Sequence, residues 1–407
     1  MAANAGPHPQ AHLVLSDRSK QPILAGLRIV ELSAFVAAPL GGATLAALGA
    51  DVIRIEPPGG GIDIDRWPVL PNGRSLYRAG LDQGKRSVTL DMRTEDGRSD
   101  AARLITAPGE GGGILLTNLP VAAWNSYDEL RKRRSDLIMV AITGSRDGGT
   151  AVDYTVNAAV GFPWVTGPEG HDGPVNHVLP AWDCMTGFLA ATAILAAERH
   201  RRLTGEGQLV ELSLADVGMA VAGHLGLIAE ASLDSHPRGR YGNDVYGTFG
   251  RNFRTSDGRS VMVLALTPRQ WRGLLDATAL SESFAELEAR LGLDLKREAD
   301  RWRARREICE LLEPWFAQKS LADVRATFDE CGVLWGPYQT FKQLLAEDPR
   351  ASEANPMFAM VDHPGVGSYL TTGSPLRFGA SVPVPPRAAP ELGRHTKEVM
   401  GELGVES

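Results

Sequence analysis

The segment Asn176-His177-Val178-Leu179-Pro180-Ala181-Trp182-Asp183-Cys184-Met185-Thr186-Gly187 carries the strongest chemical signal in the chain. An apolar run containing Trp182 leads into an acid, Asp183, at the start of a long Ala- and Leu-rich stretch. Two roles are open to an aspartate so placed. It is a favoured N-cap, suited to the positive end of a helix. That is the favoured reading of the residues alone; the functional alternative is a carboxylate held ionised beside an apolar wall, a nucleophile for covalent catalysis. Cys184 competes as an intrinsically stronger nucleophile at a helix start. No His–Asn partnership can be argued for it from sequence, so a small buried filler is the expected fate.

The usual catalytic signatures are missing. There is no GxSxG elbow, HExxH pair or Walker loop. The turn Ser33-Ala34-Phe35-Val36-Ala37-Ala38-Pro39 lacks the GxGxxG fingerprint, so a nucleotide-type sheet here implies no nicotinamide or flavin. Pro57-Pro58-Gly59-Gly60-Gly61 and Gly109-Glu110-Gly111-Gly112-Gly113 read as plain turns rather than phosphate cradles. The nine histidines show no metal-ligand spacing, and no metal is expected.

The elements that must position Asp183 follow from pattern. The chain has 407 residues, long enough for two or three domains, and a formal charge of −7 that argues against a nucleic-acid partner. The basic run Arg131-Lys132-Arg133-Arg134 reads as a solvated helix face. Cys184, Cys309 and Cys331 are odd in number and widely spaced, which indicates neither a disulfide framework nor a zinc site. No apolar stretch is long enough for a membrane span. Residues 1–21 lack an apolar signal region and read as a disordered tail, so a cytoplasmic protein is expected.

From Gly26 to Thr143 strand and helix signals alternate, with strands expected at Leu27–Leu32, Val52–Glu56, Ser87–Met92, Gly113–Asn118 and Leu137–Thr143. Pro39 opens a helix that stops at Gly49. Repeated β-α-β implies a parallel sheet covered on both faces. A long helix is expected over Asp183–Arg202, a strand over Gln208–Ser213 and a second long helix from Leu214 to Ser232. The glycine-dense segment Arg238–Gly258 marks entry to another, mostly helical domain. The Pro- and Gly-rich tail beyond Asp348 reads as crossing back over an existing domain.

Read together, these blocks resemble the class III CoA transferases, the carnitine-CoA transferase and bile-acid-inducible family. The resemblance begins at Gly26-Leu27-Arg28-Ile29-Val30-Glu31-Leu32-Ser33 and continues through Leu48–Pro58 and Gly84–Asp91. It then takes in the Asp183 segment, Arg202–Gln208, Gly242-Asn243 through Gly258, His363-Pro364 and Ala389–Thr396, nearly end to end. Ser33–Gly42, Asp153–Asn157, Asn176–Asp183 and Asn355–Val361 are most similar to the branch that moves CoA between the two carboxyls of mesaconate.

The resemblance implies an α/β fold: a Rossmann-like large domain built from both termini, a smaller α+β domain, and an interlocked homodimer. It divides the chain at 22–232, 233–343 and 344–407. It implies an acyl-CoA substrate, with coenzyme A part of that substrate and no separate cofactor. Asp183 takes the catalytic aspartate's place, and Val36, Leu90, Arg93 and Asn118 those of CoA contacts. The first loop offers no clear counterpart of the family's usual polar residue beside Val36, and one basic CoA-contact position is Pro57, so the phosphate partners stay open. Arg93 is the candidate, a plain surface arginine the alternative. The rivals are intermolecular transfer between small dicarboxylic acids and an acyl-CoA racemase. The racemase branch pairs its aspartate with an upstream histidine, whereas Gly144–Val160 contains none and Tyr154 stands in that region.

Overall fold

The computed structural model describes residues 21–404 except position 237. Residues 1–20 of the expected tail lie outside the described residues. The chain divides into two units, one comprising the residues up to Val160 with Leu179–Gly226 and Pro349 onward, the other Gly161–Val178 with Leu227–Asp348. Residues 161–178, expected with the large domain, thus belong to the second unit.

In the first unit the expected alternation is present: β1 (Arg28–Leu32), α1 (Ala37–Ala46), β2 (Asp51–Glu56), α2 (Leu76–Leu81), β3 (Arg86–Thr89), α3 (Glu95–Ile105), β4 (Ile114–Thr117), α4 (Tyr127–Arg133) and β5 (Ile138–Thr143). The six-stranded sheet is completed by β6 (Leu209–Ser213), in the order β3-β2-β1-β4-β5-β6 with all neighbours parallel. Strands buried on both faces need continuous apolar sequence, and Ile114-Leu115-Leu116 and Ile138–Ala141 supply it. Each such fully buried side chain contributes about 1.5–3 kcal/mol. The edge strand β6 instead alternates exposed and covered positions.

Helix α1 starts at Ala37, two residues before the Pro39 that was expected to open it. That proline then occupies the first turn, where its missing N–H costs nothing. The long helix expected over 214–232 is two helices, α8 (Leu214–His224) and α9 (Leu227–Leu233), separated by a break containing Gly226. Gly226 has φ +77, a conformation that glycine adopts freely, so the break sits where the backbone can turn. No single helix among the described residues is long and apolar enough to cross a membrane.

Charge is buried in the sheet itself. Arg54 on β2 is 2% exposed and donates to Asp82 Oδ1 at 2.7 Å and Asp63 Oδ2 at 3.0 Å. Lys85 Nζ meets Glu31 Oε1 at 2.9 Å, and Arg78 grips Glu56 with two bonds of 2.6 Å. Burial raises the Glu31 carboxyl against the pull of Lys85 and Arg54. Burial also works to raise Asp82, but Arg54, Lys85 and Arg78 outweigh it and its carboxyl ends lowered. Such ion pairs add little net stability against an apolar packing. They do pin the long excursion between β2 and β3 onto the sheet.

The second unit has its own core under the antiparallel sheet β7 (Phe249–Arg254), β8 (Ser260–Ala265) and β9 (Leu334–Pro337). Phe253 stacks on Phe316 at 4.4 Å, and Trp271 meets Phe249 and Phe284 edge-on. In the first unit the returning tail forms the hairpin β10 (Phe358–His363) and β11 (Gly367–Thr372), then the helix Thr396–Glu402. Thr396 Oγ1 accepts from Thr89 N, tying that end to β3.

Candidate active site

Asp183 is the third residue of α7 (Ala181–Thr204), whose N-cap is Pro180 with no side-chain cap bond. The cap comes from elsewhere. Asp153, the first residue of α5 (Asp153–Ala159), accepts through Oδ2 from Trp182 N at 2.8 Å and Asp183 N at 3.0 Å. The capping reading of Asp183 is therefore not what the structure shows, because Pro180 holds the N-cap position and Asp183 already lies inside the helix. Its own carboxylate receives no hydrogen bond among the described residues. Burial first, then the neighbouring charge of Asp153, push the Asp183 carboxyl up to about 6, against an opposing pull from Arg66.

Helices α1 and α7 cross backbone to backbone. A Cβ added at Gly187 would lie 2.7 Å from Ala37 O and 3.1 Å from Leu40 Cβ, and one at Gly41 would lie 3.0 Å from Gly187 O. Only glycines allow that approach. It sets the first turn of α7 beside the β1–α1 loop. That loop holds Phe35 at φ +63, unusual for a bulky residue, and Asp63 Oδ2 accepts the Phe35 amide at 3.0 Å. The buried Arg54–Asp63 pair thus has a local purpose, to keep this loop in its strained form.

Arg66 was missed by sequence reasoning. Its guanidinium lies 5.0 Å from the centre of the Phe35 ring and 5.2 Å from that of Tyr77. Among the described residues it makes no ion pair, and its charge reaches Asp183. Tyr77 stands close enough to feel Asp183, its phenol raised mainly by burial and drawn back by Arg66. Nothing local in Asp65-Arg66-Trp67-Pro68 marks the arginine, since two distant aromatic residues position it. Cys184 is half-buried and its thiol is raised by burial, then by Asp183 and Asp153, which withholds the thiolate.

The four expected CoA contacts lie at or just beyond the carboxyl ends of strands. Val36 is buried and precedes α1. Leu90 is buried just past β3, and Arg93 follows it, 84% exposed and held by Asp91 at 2.8 Å. Asn118 follows β4 and stitches it to the β1 loop, donating to Ala34 O at 2.7 Å and accepting from Ala34 N at 2.9 Å. The strand order reverses between β1 and β4, the switch point where open α/β sheets bind ligands. Gly247 and Gly250, in the glycine-dense segment, belong to the second unit. At Gly250 a Cβ would meet Val245 at 2.7 Å, which is a packing reason for that glycine.

Comparison with known proteins agrees with this geometry. The model of CoA-transferase family III matches residues 24–396. The chain is 56% identical over 382 residues to the 2-methylfumaryl-CoA isomerase of Chloroflexus aurantiacus, covering 94% of this chain and 93% of that one. It is 28% identical to the succinyl-CoA:mesaconate CoA-transferase of Haloarcula hispanica, over 93% and 96% of the two chains. Among solved structures, a CAIB/BAIF family protein from Brucella suis superimposes with a TM-score of 0.77 at 26% identity, covering 94% of this chain and all of that one. The parallel sheet, the uncapped acid at the head of α7 and a family match spanning most of its length make this chain an enzyme of CoA-transferase family III.

Proposed function

We propose that this enzyme converts 2-methylfumaryl-CoA (mesaconyl-C1-CoA) to 3-methylfumaryl-CoA (mesaconyl-C4-CoA) by moving CoA between two carboxyls of one molecule, with Asp183 carrying the group. The observation that carries the reading is 56% identity to an isomerase of that substrate along 94% of the chain. Asp183 attacks the thioester carbonyl and the C–S bond breaks, leaving a mixed anhydride and CoA thiolate. The thiolate attacks the Asp183 carbonyl and releases the carboxylate, which forms an aspartyl-CoA thioester. The other carboxylate of the retained mesaconate then attacks, and the steps reverse. No proton is gained or lost overall.

The geometry supports each demand. With its carboxyl raised to about 6, Asp183 is more basic than an ordinary aspartate and still ionises around neutral pH. Arg66, free of an ion pair, offers a planar donor fork to the substrate's other carboxylate. Retention of mesaconate raises its effective concentration and protects the anhydride from water. Val36, Leu90, Arg93 and Asn118 line the CoA path in this reading, and coenzyme A enters only as part of the substrate. A homodimer and a cytoplasmic location complete it; Met185, Phe188 and Leu189, exposed apolar residues on α7, favour a covered surface there.

The test is to incubate the enzyme with mesaconyl-C1-CoA and labelled free mesaconate. Isomerisation without label entering the CoA ester is expected. Label incorporated at the isomerisation rate would make this an intermolecular transferase.

A further inference from the structure

Asp153 does more than a cap requires. It is 3% exposed, and one of its oxygens accepts two amides, of Trp182 and of the nucleophile Asp183 itself. Its other oxygen, Oδ1, is buried with no hydrogen-bond partner among the described residues. Serine, threonine or asparagine could accept the same amides without burying a charge. A buried, half-satisfied carboxylate costs stability, and this one, at the start of α5, meets the first turn of α7 where Asp183 sits.

We infer that Asp153 is a positioning residue for the covalent step: by accepting the Trp182 and Asp183 amides it holds the first turn of α7 from outside, and it places a second carboxylate beside that of Asp183. The groups facing Asp183 are Asp153 on α5, Arg66 and Tyr77 on the excursion after β2, and Cys184 on α7 itself. Of these, Asp153 raises the proton affinity of Asp183 and Arg66 lowers it.

This charge has a consequence for the anhydride. The thiolate can attack either carbonyl. Attack at the mesaconyl carbon breaks its bond to the Asp183 oxygen and restores substrate. Attack at the Asp183 carbon breaks the bond to mesaconate and moves forward. The less basic carboxylate leaves more readily, so a charge that disfavours negative Asp183 directs attack toward the Asp183 carbonyl. Asp153 thereby sets commitment to the aspartyl-CoA intermediate as well as nucleophilicity.

The inference rests on the role proposed for Asp183, and the test separates the two. The kcat, KM and pH profile of the full-length enzyme would be measured for Asp153→Asn, Asp153→Ala and Asp183→Asn. Asp153→Asn keeps an acceptor for both amides. Its acidic limb in kcat/KM should move down by about one pH unit. Its kcat should fall about tenfold or more, with KM within about threefold and a melting temperature at neutral pH no lower than that of the parent enzyme. Hydroxylamine trapping should show less acyl-Asp183 per turnover. Asp153→Ala should in addition melt earlier. A wild-type limb and kcat in Asp153→Asn, with Asp183→Asn inactive, would overturn the inference alone. So would equal loss in the Asn and Ala variants with the limb unmoved, since the Asp153 charge would then not act on Asp183. Full turnover in Asp183→Asn would remove the mechanism beneath it.

Discussion

Replacing Asp183 by asparagine should abolish turnover and stabilise the protein at neutral pH. The carboxyl binds its proton more tightly in the fold, at about 6 against an ordinary 3.8, because burial and Asp153 disfavour the anion. Between those values the folded state holds more protons than the unfolded chain, so stability falls as pH rises through that window and stays reduced above it. About two units at roughly 1.4 kcal/mol each sets a ceiling near 3 kcal/mol. Solvent reaches part of the group, so about 1–2 kcal/mol is the expected penalty. Asp183→Asn removes it, because the amide carries no charge. Thermal melts of both proteins at pH 7.5 should show the variant higher by a few degrees, with the difference shrinking toward pH 4. Turnover should fall at least about a thousandfold, since a carboxamide does not replace the nucleophile. A variant no more stable at pH 7.5, or more stable by the same margin at both pH values, would refute the electrostatic account of this site.

Other outcomes follow from neighbouring contacts. In the parent enzyme kcat/KM should fall as pH drops through about 6, where Asp183 takes up its proton; a limb near 4 would contradict the burial of this acid. Arg66→Ala should raise KM for the diacid ester by about tenfold or more and move that acidic limb upward, the direction opposite to Asp153→Asn. Steady-state kinetics with a monocarboxylic acyl-CoA should show a much smaller KM effect. Gly187→Ala gains about 1 kcal/mol of helix propensity but forces a Cβ to 2.7 Å from Ala37 O. Overpacking against backbone, at about 1–3 kcal/mol, should win, lowering both melting temperature and kcat. Cys184→Ser should keep most activity, and iodoacetamide should inactivate slowly, because the Cys184 thiol is held protonated.

Local pattern carried much of this protein. Alternating apolar runs and helical stretches marked the strands of the parallel sheet, since strands buried on both faces must be apolar throughout. The segment around Asp183, joined to blocks elsewhere in the chain, marked a candidate acid and identified the family. Element ends were less legible, as the early start of α1 and the break between α8 and α9 show, because neighbouring packing and one left-handed glycine decide them. Where Asp183 stands relative to the helix start was decided only in three dimensions. The same residue type caps a helix or stands inside its first turn with a free carboxylate, and sequence cannot tell which until the helix start and the partner of its amide are known. That partner is Asp153, thirty residues upstream on another helix, delivered by the fold of the chain between them. Arg66 gains its place in the same way, from Phe35 and Tyr77 on separate segments held by a buried ion pair. Sequence names the charged groups; the fold sets their spacing and burial, and those decide how strongly each charge acts on the next.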